Sequence, residues 1–287
     1  MKPCSGLREL LKPGELLVAP GVFDMISARI ADRQGFRALY MTGYGVVASS
    51  LGLPDAGLAT YTEMREHVER IAGGTAAPLI ADADTGFGGL LNVERTVRGY
   101  EAAGAAAIQI EDQVFPKKCG HTLGRRVIPA EDMVRKIKVA REARESAEFL
   151  IIARTDARTA HGLDEALRRA EAYVKAGADI LFIESPESEE EMRRICASLD
   201  APCLANQVEG GRTPVLTRAQ LIDIGYRMAI FPATGFLAAA AALTRAYATL
   251  REQGSTARAG LDLLGFGEMN TLMGFERVWD FERRNAE

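Results

Sequence analysis

Apolar and polar positions follow two patterns in turn along the chain. Short apolar runs recur from one end to the other, and stretches with apolar residues three or four positions apart lie between them. The first pattern predicts eight strands, over residues 17–19, 38–42, 79–83, 107–111, 149–153, 180–184, 203–206 and 228–231. The second predicts amphipathic helices, for example over 93–103, 163–176 and 217–224.

Glycines mark the ends of several predicted helices. Gly35, Gly104 and Gly177 each follow a helical stretch and precede a predicted strand by a few residues. A glycine just past a helix readily adopts the left-handed conformation that ends it. The order of helix, glycine and strand therefore indicates βα units with short connections.

Eight such units with fully apolar strands favour an α/β fold, a (β/α)8 barrel of the TIM type. An open doubly wound sheet is the alternative, but no GxGxxG follows the first strand, which weakens its dinucleotide-binding form. No linker rich in Pro, Gly or Ser interrupts the chain, so we expect a single barrel domain over 1–287. Within it, residues 258–287 are expected to form a C-terminal helical extension whose apolar side chains suggest a subunit contact.

Composition excludes several classes of function. The net charge is -4 and no basic stripe is interleaved with aromatic residues, so no nucleic-acid partner is expected. The most apolar run, 228–243, is rich in alanine and contains Pro232 and Gly235, so no membrane partner is expected either. Four cysteines without CxxC spacing are typical of reduced thiols in a cytoplasmic protein.

Polar residues close six of the predicted strands. They are Thr42, Asp82 with Asp84, Glu111, Arg154 with Asp156, Glu184 and Asn206. The active site of a barrel lies at the carboxyl ends of its strands. Any one of these residues is equally well explained as a helix N-cap or a structural ion pair. Six strands that all end in this way indicate a functional rim.

Asp82, Asp84 and Glu111 offer only oxygen ligands, and no histidine or cysteine stands at metal-ligand spacing around them. Such a set selects Mg²⁺ or Mn²⁺ over zinc. The alternative is a set of helix caps, but carboxylates on adjacent strands repel each other unless a cation lies among them. The glycine-rich residues 85–89 follow directly and allow the backbone to approach a ligand closely.

Cys119 lies in a polar segment with Lys117, Lys118 and His121. A lone cysteine is usually a small buried hydrophobe, but this context favours a functional loop. The three neighbouring cations are expected to favour a thiolate or to tune the acidity of the thiol.

Two further groups are suited to an anionic substrate. Arg154 is a candidate clamp for a carboxylate, or alternatively an ion-pair partner of acidic residues on the rim. Residues 43–45, Gly-Tyr-Gly, offer backbone N–H groups to a carboxylate or an oxyanion, or form a plain turn.

Together these segments resemble the isocitrate lyase and phosphoenolpyruvate mutase superfamily. The resemblance covers nearly the whole chain and is carried by residues 40–45, 50–55, 82–88, 110–113, 117–121 and 153–156. It implies a Mg²⁺-dependent barrel that acts on α-oxy-carboxylates through an enolate-type intermediate. It also implies a homo-oligomer, a tetramer built as a dimer of dimers, that exchanges C-terminal helices between subunits.

The resemblance also implies roles for single residues. Asp84 would bind Mg²⁺ most directly, with Asp82 and Glu111 acting through water, and Cys119 would be the general acid, as in the carbon–carbon lyases of the family. The substrate would be held by residues of the rim and of the Cys119 segment, namely Thr42, Gly43, Tyr44, Asp55, Gly120, His121, Arg154, Glu184 and Asn206. Asp55 would lie in a mobile segment. Tyr40 and Tyr44 are the candidate catalytic bases. Arg154 is expected to be a catalytic residue as well as a substrate-binding one.

Departures from the family pattern narrow the substrate. Relatives that cleave methylisocitrate carry two arginines for an extra carboxylate, where this chain has Leu237 and Phe266. Residues 206–214 are similar to the branch that contains dimethylmalate lyases, the petal death protein and oxaloacetate-hydrolysing enzymes.

We therefore expect a lyase that cleaves a small substituted malate, similar to 2,3-dimethylmalate, to a 2-oxo acid such as pyruvate and a carboxylate. The alternatives are hydrolysis or decarboxylation of oxaloacetate at the same metal site, or methylisocitrate cleavage. A non-catalytic binding barrel is disfavoured because Asp82, Asp84, Glu111, Cys119 and Arg154 are all present.

Overall fold

A computed structural model describes residues 6–257 and 259–286 of the chain. Its strands are β1 Leu17–Val22, β2 Leu39–Met41, β3 Leu79–Asp82, β4 Ala107–Glu111, β5 Leu150–Thr155, β6 Ile180–Ile183, β7 Leu204–Asn206 and β8 Met228–Phe231. Its α-helices are α1 Met25–Arg33, α2 Gly43–Leu51, α3 Tyr61–Gly74, α4 Leu90–Ala102, α5 Ala130–Ala143, α6 Ala157–His161, α7 Leu163–Ala176, α8 Glu189–Ser198, α9 Arg218–Ile224, α10 Thr234–Gln253, α11 Phe266–Met273 and α12 Phe275–Asn285.

The strands form one parallel sheet in the order β6-β5-β4-β3-β2-β1-β8-β7. Its two ends meet through a single parallel bridge between Leu181 and Cys203. The amide of Leu181 also donates a hydrogen bond to the carbonyl of Pro202, at 2.9 Å. The sheet is therefore a nearly closed barrel, and the predicted (β/α)8 fold is confirmed, with every predicted strand overlapping an observed one.

The barrel interior is filled by side chains two positions apart on each strand, because alternate residues of a strand share a face. Leu150 and Ile152 on β5 show this spacing, as do Ile180 and Phe182 on β6, and all four belong to the buried core. Leu7 and Leu11 from the N-terminal segment join the same cluster. Burial of these apolar groups is the main favourable contribution to folding.

Three glycines end helices as the sequence predicts. The φ angles are 80° at Gly35, 96° at Gly104 and 113° at Gly177. These values lie in the left-handed region, which costs little only for glycine. The helices can therefore end sharply and return the chain to the next strand within a few residues.

The chain divides into two compact units, Met1–Phe236 and Leu237–Glu287. The second unit contains most of α10 together with α11 and α12, so helices do form within the predicted extension 258–287, of which Arg258 and Glu287 lie outside the described residues. Many of its large apolar side chains are exposed, among them Leu264, Phe266, Trp279 and Phe281. None of the described helices is both long enough and apolar enough to span a bilayer.

Candidate active site

The polar residues of the rim continue the inward-facing positions of the barrel core. Ile80 on β3, Ile152 on β5 and Phe182 on β6 face the interior, and two residues further along are Asp82, Arg154 and Glu184. Because side chains two apart share a face, these polar groups point inward at the carboxyl end of the barrel. The same spacing relates the remaining rim residues, Thr42, Glu111 and Asn206, to the strands that precede them, and all six are buried.

The turn after β3 is strained where it carries the candidate metal ligands. Asp84 has a φ of 48° and Phe87 a φ of 58°, which non-glycine residues rarely adopt. Oδ1 of Asp82 accepts a hydrogen bond from the amide of Asp84 at 3.0 Å, which helps to hold this conformation. Strain of this kind persists where the surrounding structure enforces it, and it is concentrated at functional sites.

Residues 43–45 form the start of helix α2. The alternative prediction of a plain turn is therefore wrong. Thr42 is the N-cap residue and accepts a hydrogen bond from the amide of Gly45. The amide of Gly43 donates to Oδ2 of Asp82 at 3.3 Å. A Cβ at Gly43 would lie 2.6 Å from the same oxygen, so only glycine allows this approach. The positive end of the helix thus faces a rim carboxylate.

Lys117 provides the cation among the acidic residues of the rim. Its ammonium forms ion pairs with Asp55 and Asp84, and all three side chains are buried. Burial alone would lower the pKa of Lys117, but the carboxylates of Asp84 and Asp55 outweigh it and raise the pKa. Within residues 6–257 and 259–286, the His, Cys, Asp and Glu side chains do not form a group of three or more arranged as metal ligands.

The rim nevertheless suits a hard cation. Burial raises the pKa of Asp84 to about 6, and Lys117 opposes the rise. Burial also raises the pKa of Glu111 well above its usual value, although Arg154 lowers it. Oε1 of Glu111 is buried and has no hydrogen-bond partner among the described residues. The negative charge of these carboxylates is only partly balanced by Lys117 and Arg154. A set of oxygen ligands with excess negative charge fits Mg²⁺ or Mn²⁺, so the residues present are compatible with the metal that the resemblance implies.

Arg154 lies among three carboxylates. It is therefore an ion-pair partner of acidic residues on the rim, which is compatible with a second role as a clamp for a substrate carboxylate. Its guanidinium forms a bidentate contact with Asp156, in which Nε lies 2.9 Å from Oδ2 and Nη2 lies 2.9 Å from Oδ1. It also lies 3.3 Å from Glu111 Oε2 and 3.1 Å from Glu184 Oε2. Burial alone would lower the pKa of Arg154, but the surrounding carboxylates outweigh it and raise the pKa. The guanidinium of Arg154 is thus held by ion pairs at the carboxyl end of the barrel.

Asp112 anchors this arrangement from behind. Its Oδ1 accepts from the amide of Asp156 at 2.9 Å. Its Oδ2 accepts from Tyr173 at 2.7 Å and from Arg169 at 3.0 Å. This role of Asp112 was not predicted from the sequence, although the residue directly follows Glu111 at a strand end.

The segment that carries Cys119 packs closely onto the rim. A Cβ at Gly120 would lie 2.4 Å from Arg154 Nη2 and 2.4 Å from Glu184 Oε2, so this position requires glycine. The amide of Cys119 donates to the carbonyl of Asp55 at 3.1 Å. Gly120 is buried and Cys119 is half-buried, with its backbone tied to the segment that carries Asp55.

The Cys119 thiol is less acidic than its neighbours in sequence suggested. Burial raises the pKa of Cys119, and the amide of His121 only partly opposes the rise. The expectation that nearby cations favour a thiolate is therefore wrong. The ammonium of Lys117 is engaged by carboxylates instead, and Lys118 is exposed. A thiol that keeps its proton at neutral pH is suited to act as a general acid.

His121 and Asn206 complete the rim on the side of β7. Nδ1 of His121 accepts from the amide of Arg212 at 3.2 Å, which leaves the proton of the neutral ring on Nε2. Burial lowers the pKa of His121, while Glu184 raises it. Nδ2 of Asn206 donates to Glu184 Oε2 at 3.1 Å, and among the described atoms its buried Oδ1 has no partner.

The two candidate bases differ in their surroundings. Tyr40 is buried in the barrel core and its hydroxyl donates to Oε1 of Gln109 at 2.6 Å. Burial raises the pKa of Tyr40 well above its usual value, and Asp82 adds to the rise. Tyr44 is 40% exposed and its ring packs against Phe236. The hydroxyl of Tyr40 is thus engaged by Gln109, and Tyr44 is the more exposed of the two candidates.

Comparisons with known proteins show which family the chain resembles over its length. Residues 7–251 match the phosphoenolpyruvate phosphomutase family. The chain is 50% identical to 2,3-dimethylmalate lyase of Eubacterium barkeri over 286 residues, which cover 100% of this chain and 99% of the relative. It is 46% identical to 2-methylisocitrate lyase of Aeropyrum pernix, with 100% and 91% covered.

The fold is also similar to solved structures. An oxaloacetate acetylhydrolase in complex with the inhibitor 3,3-difluorooxalacetate superposes with a TM-score of 0.91 and 35% identity. The match covers 96% of this chain and 95% of that one. The family match spans nearly all of the barrel, and the rim residues stand at the strand ends that the resemblance requires. The chain therefore belongs to the phosphoenolpyruvate mutase and isocitrate lyase superfamily.

Proposed function

We propose that this protein is a Mg²⁺-dependent carbon–carbon lyase that cleaves a small substituted malate, similar to 2,3-dimethylmalate. The products are a 2-oxo acid such as pyruvate and a carboxylate. The observation that carries the proposal is the close packing of Gly120 against Arg154 and Glu184, which brings the adjoining, half-buried Cys119 to the acidic rim. The sequence identity of 50% to 2,3-dimethylmalate lyase of Eubacterium barkeri, over the full chain, supports the same class of reaction.

Asp84, Asp82 and Glu111 are the residues that would hold the metal, with Mn²⁺ as an alternative to Mg²⁺. A divalent cation at this position supplies positive charge that stabilises an enolate. The incompletely compensated carboxylates Asp84 and Glu111 support this assignment.

The remaining residues bind the substrate and move protons. Nη1 of Arg154, which lies outside its bidentate contact with Asp156, is suited to a substrate carboxylate. The buried Oδ1 of Asn206, without a partner among the described atoms, is suited to accept from a hydroxyl group. Tyr44 is the favoured base for the hydroxyl proton. As that proton leaves, a carbonyl forms at the hydroxyl-bearing carbon and the adjacent C–C bond breaks. The electron pair of that bond passes to the departing fragment as an enolate, and the thiol of Cys119 gives its proton to the enolate carbon.

The apolar residues Leu237 and Phe266 support a di-acid substrate over a tricarboxylate. Both are exposed and neither offers a positive charge. The resemblance places two arginines at these positions in relatives that cleave methylisocitrate. Arg212, an alternative anchor in the 206–214 segment, has its guanidinium paired with Glu187 at 3.2 Å.

Two other reactions are compatible with the same rim. Hydrolysis or decarboxylation of oxaloacetate is favoured by the similarity to an oxaloacetate acetylhydrolase. Cleavage of methylisocitrate is favoured by the relative from Aeropyrum pernix. Incubation with Mg²⁺ and each of oxaloacetate, 2,3-dimethylmalate, citramalate and methylisocitrate, with products identified by NMR, separates the three. Turnover of oxaloacetate alone would overturn the lyase proposal.

The exposed apolar residues of the second unit support a homo-oligomer. A tetramer built as a dimer of dimers, with C-terminal helices exchanged between subunits, would cover them. The four cysteines, which have no CxxC spacing, support a cytoplasmic location. Light scattering of the wild type and of Trp279→Glu tests the assembly, since a monomeric wild type would contradict it.

A further inference from the structure

We propose that Arg125 and Ser185 are positioning residues that fasten the thiol loop, defined here as residues 117–125, to the ends of β5 and β6. Neither contacts the reacting atoms in the proposed reaction. They act by fixing where Cys119 lies and how Arg154 points. The catalytic consequence rests on the proposed function, whereas the docking of the loop does not.

Arg125 joins its own loop to two neighbouring elements. Its Nε donates to the carbonyl of Thr122 at 3.2 Å, within the loop. Its Nη1 forms a short ion pair with Oδ1 of Asp156, and its Nη2 donates to the hydroxyl of Thr159 at 2.7 Å. Nη2 also reaches the hydroxyl of Ser185 at 3.5 Å. The Arg125 side chain is 1% exposed, so it is a buried connection and not a surface contact.

Asp156 is shared between Arg125 and Arg154. Oδ1 of Asp156 accepts from both guanidinium groups, and Oδ2 accepts from Arg154 alone. Burial would raise the pKa of Asp156, but the two arginines outweigh it and lower the pKa. Charge-assisted bonds with this geometry are stronger and more directional than neutral ones. The position of the loop and the orientation of the Arg154 fork therefore depend on the same carboxylate.

Ser185 provides the second attachment. Its hydroxyl lies 3.0 Å from the carbonyl of Gly120 and 3.1 Å from Oε1 of Glu184. Its φ is 58°, a left-handed conformation that costs a serine free energy, and the residue is fully buried. The amide of Ser185 donates to Glu184 Oε1 at 2.7 Å, which helps to hold this conformation. A strained residue that bonds directly next to Cys119 indicates a positional requirement.

The reactivity of Cys119 toward iodoacetamide measures whether the loop is docked, with the alkylated peptide identified by mass spectrometry. Arg125→Gln is expected to raise the alkylation rate at Cys119 by about tenfold or more, because charge-assisted bonds are lost. Arg126→Gln is the matched control, since this neighbour is exposed and the same charge is removed. Its alkylation rate and lyase activity are expected to equal those of the wild type.

The direction of this change is diagnostic. Loss of a nearby positive charge raises the pKa of a thiol and so slows alkylation of a loop that stays in place. Faster alkylation therefore requires that the thiol loop has moved. An unchanged or slower rate in Arg125→Gln would overturn the inference.

Ser185→Gly separates docking from folding. Glycine adopts a φ of 58° without strain, so the thermal stability of the barrel is expected to be unchanged or higher. The lost hydroxyl is expected to raise alkylation of Cys119 and to lower kcat more than it changes KM. Wild-type alkylation in this stable variant would contradict the role of Ser185, even if Arg125→Gln failed to fold.

The outcomes also distinguish this inference from the proposed function. If the wild type has no lyase activity but Arg125→Gln and Ser185→Gly still expose Cys119, the docking stands and the reaction is wrong. If the wild type is an active lyase and both variants keep Cys119 protected and kcat unchanged, the reaction stands and the positioning role is wrong. Partial recovery of Cys119 protection in Arg125→Lys, which keeps the charge without the fork, is expected.

Discussion

The ammonium nitrogen of Lys117 lies 2.7 Å from Oδ1 of Asp84. The same nitrogen is paired with Asp55, so one buried cation joins the turn after β3, the 52–58 segment and the thiol loop. Lys117 and Asp84 thereby connect the candidate general acid to the candidate metal ligands, which lie on separate parts of the chain.

Stabilisation of the protein by Mg²⁺ is expected to depend on pH through Asp84. Its folded pKa is raised to about 6 by burial, and only the ionised carboxylate is a good ligand. Lowering the pH through this value protonates Asp84. The rise in Tm on adding Mg²⁺ is therefore expected to be large at about pH 7.5 and small at about pH 5.5. Differential scanning fluorimetry in Mg²⁺ and in excess chelator measures both.

Asp84→Asn is the control for this prediction, because it keeps the size of the side chain and removes its charge. It is expected to fold and to show no Mg²⁺-dependent rise in Tm at either pH. A full rise in this variant would refute Asp84 as a ligand. So would a wild-type effect that is larger in acid than at neutral pH.

Cys119→Ser is expected to fold normally and to lose most of its lyase activity. Serine keeps the size of the side chain, but its hydroxyl is a far weaker acid than a thiol. Loss of general acid catalysis lowers the rate by roughly 10²–10⁴. Cys196→Ser controls for loss of any thiol. Near wild-type turnover in Cys119→Ser would show that another group gives the proton, and would favour oxaloacetate hydrolysis or decarboxylation.

Gly120→Ala is expected to reduce activity strongly while the barrel stays folded. The added Cβ would lie 2.4 Å from Arg154 Nη2 and from Glu184 Oε2, so the loop or the arginine must shift. Displacements of about 1 Å at a reacting centre lower rates by roughly 10²-fold. Gly73→Ala in α3 meets nothing within 4 Å and is the matched control for the added methyl group. Equal kcat in the two variants would contradict the close docking of the loop.

A di-acid is expected to be a much better substrate than methylisocitrate. A third carboxylate would lack the two arginines that the resemblance implies for methylisocitrate lyases, because Leu237 and Phe266 stand at their positions in the sequence. A methyl group would gain about 0.8 kcal/mol for each buried CH₂. The values of kcat/KM for methylisocitrate, 2,3-dimethylmalate and oxaloacetate decide this. A value for methylisocitrate at or above the other two would overturn the assignment.

Much of the rim could be predicted because strands constrain side-chain direction. Once Ile80 faces the core, Asp82 must face the same way, and the same logic applies to Arg154 after Ile152. These positions follow from spacing alone. The start of α2 at Gly43 was missed because its two glycines are typical of a turn, whereas Thr42 supplies the cap that begins a helix.

Residues in the thiol loop could not be placed in the same way. No periodicity fixes the path between β4 and α5, so sequence could not show that Lys117 reaches Asp84 or that Arg125 reaches Asp156. The acidity of Cys119 was misjudged for the same reason. Its neighbours in sequence are cations, but burial in the folded loop determines its pKa.

The buried charges of the rim and its supports have a consequence for the order of binding. The acids are Asp55, Asp82, Asp84, Glu111, Asp112, Asp156 and Glu184, and the bases are Lys117, Arg125, Arg154 and Arg169. The acids outnumber the bases even when Asp84 and Glu111 are both protonated. A doubly negative substrate that approaches this rim is repelled until the excess is neutralised. In the proposed reaction, these electrostatics would favour an order in which the divalent cation binds before the di-acid.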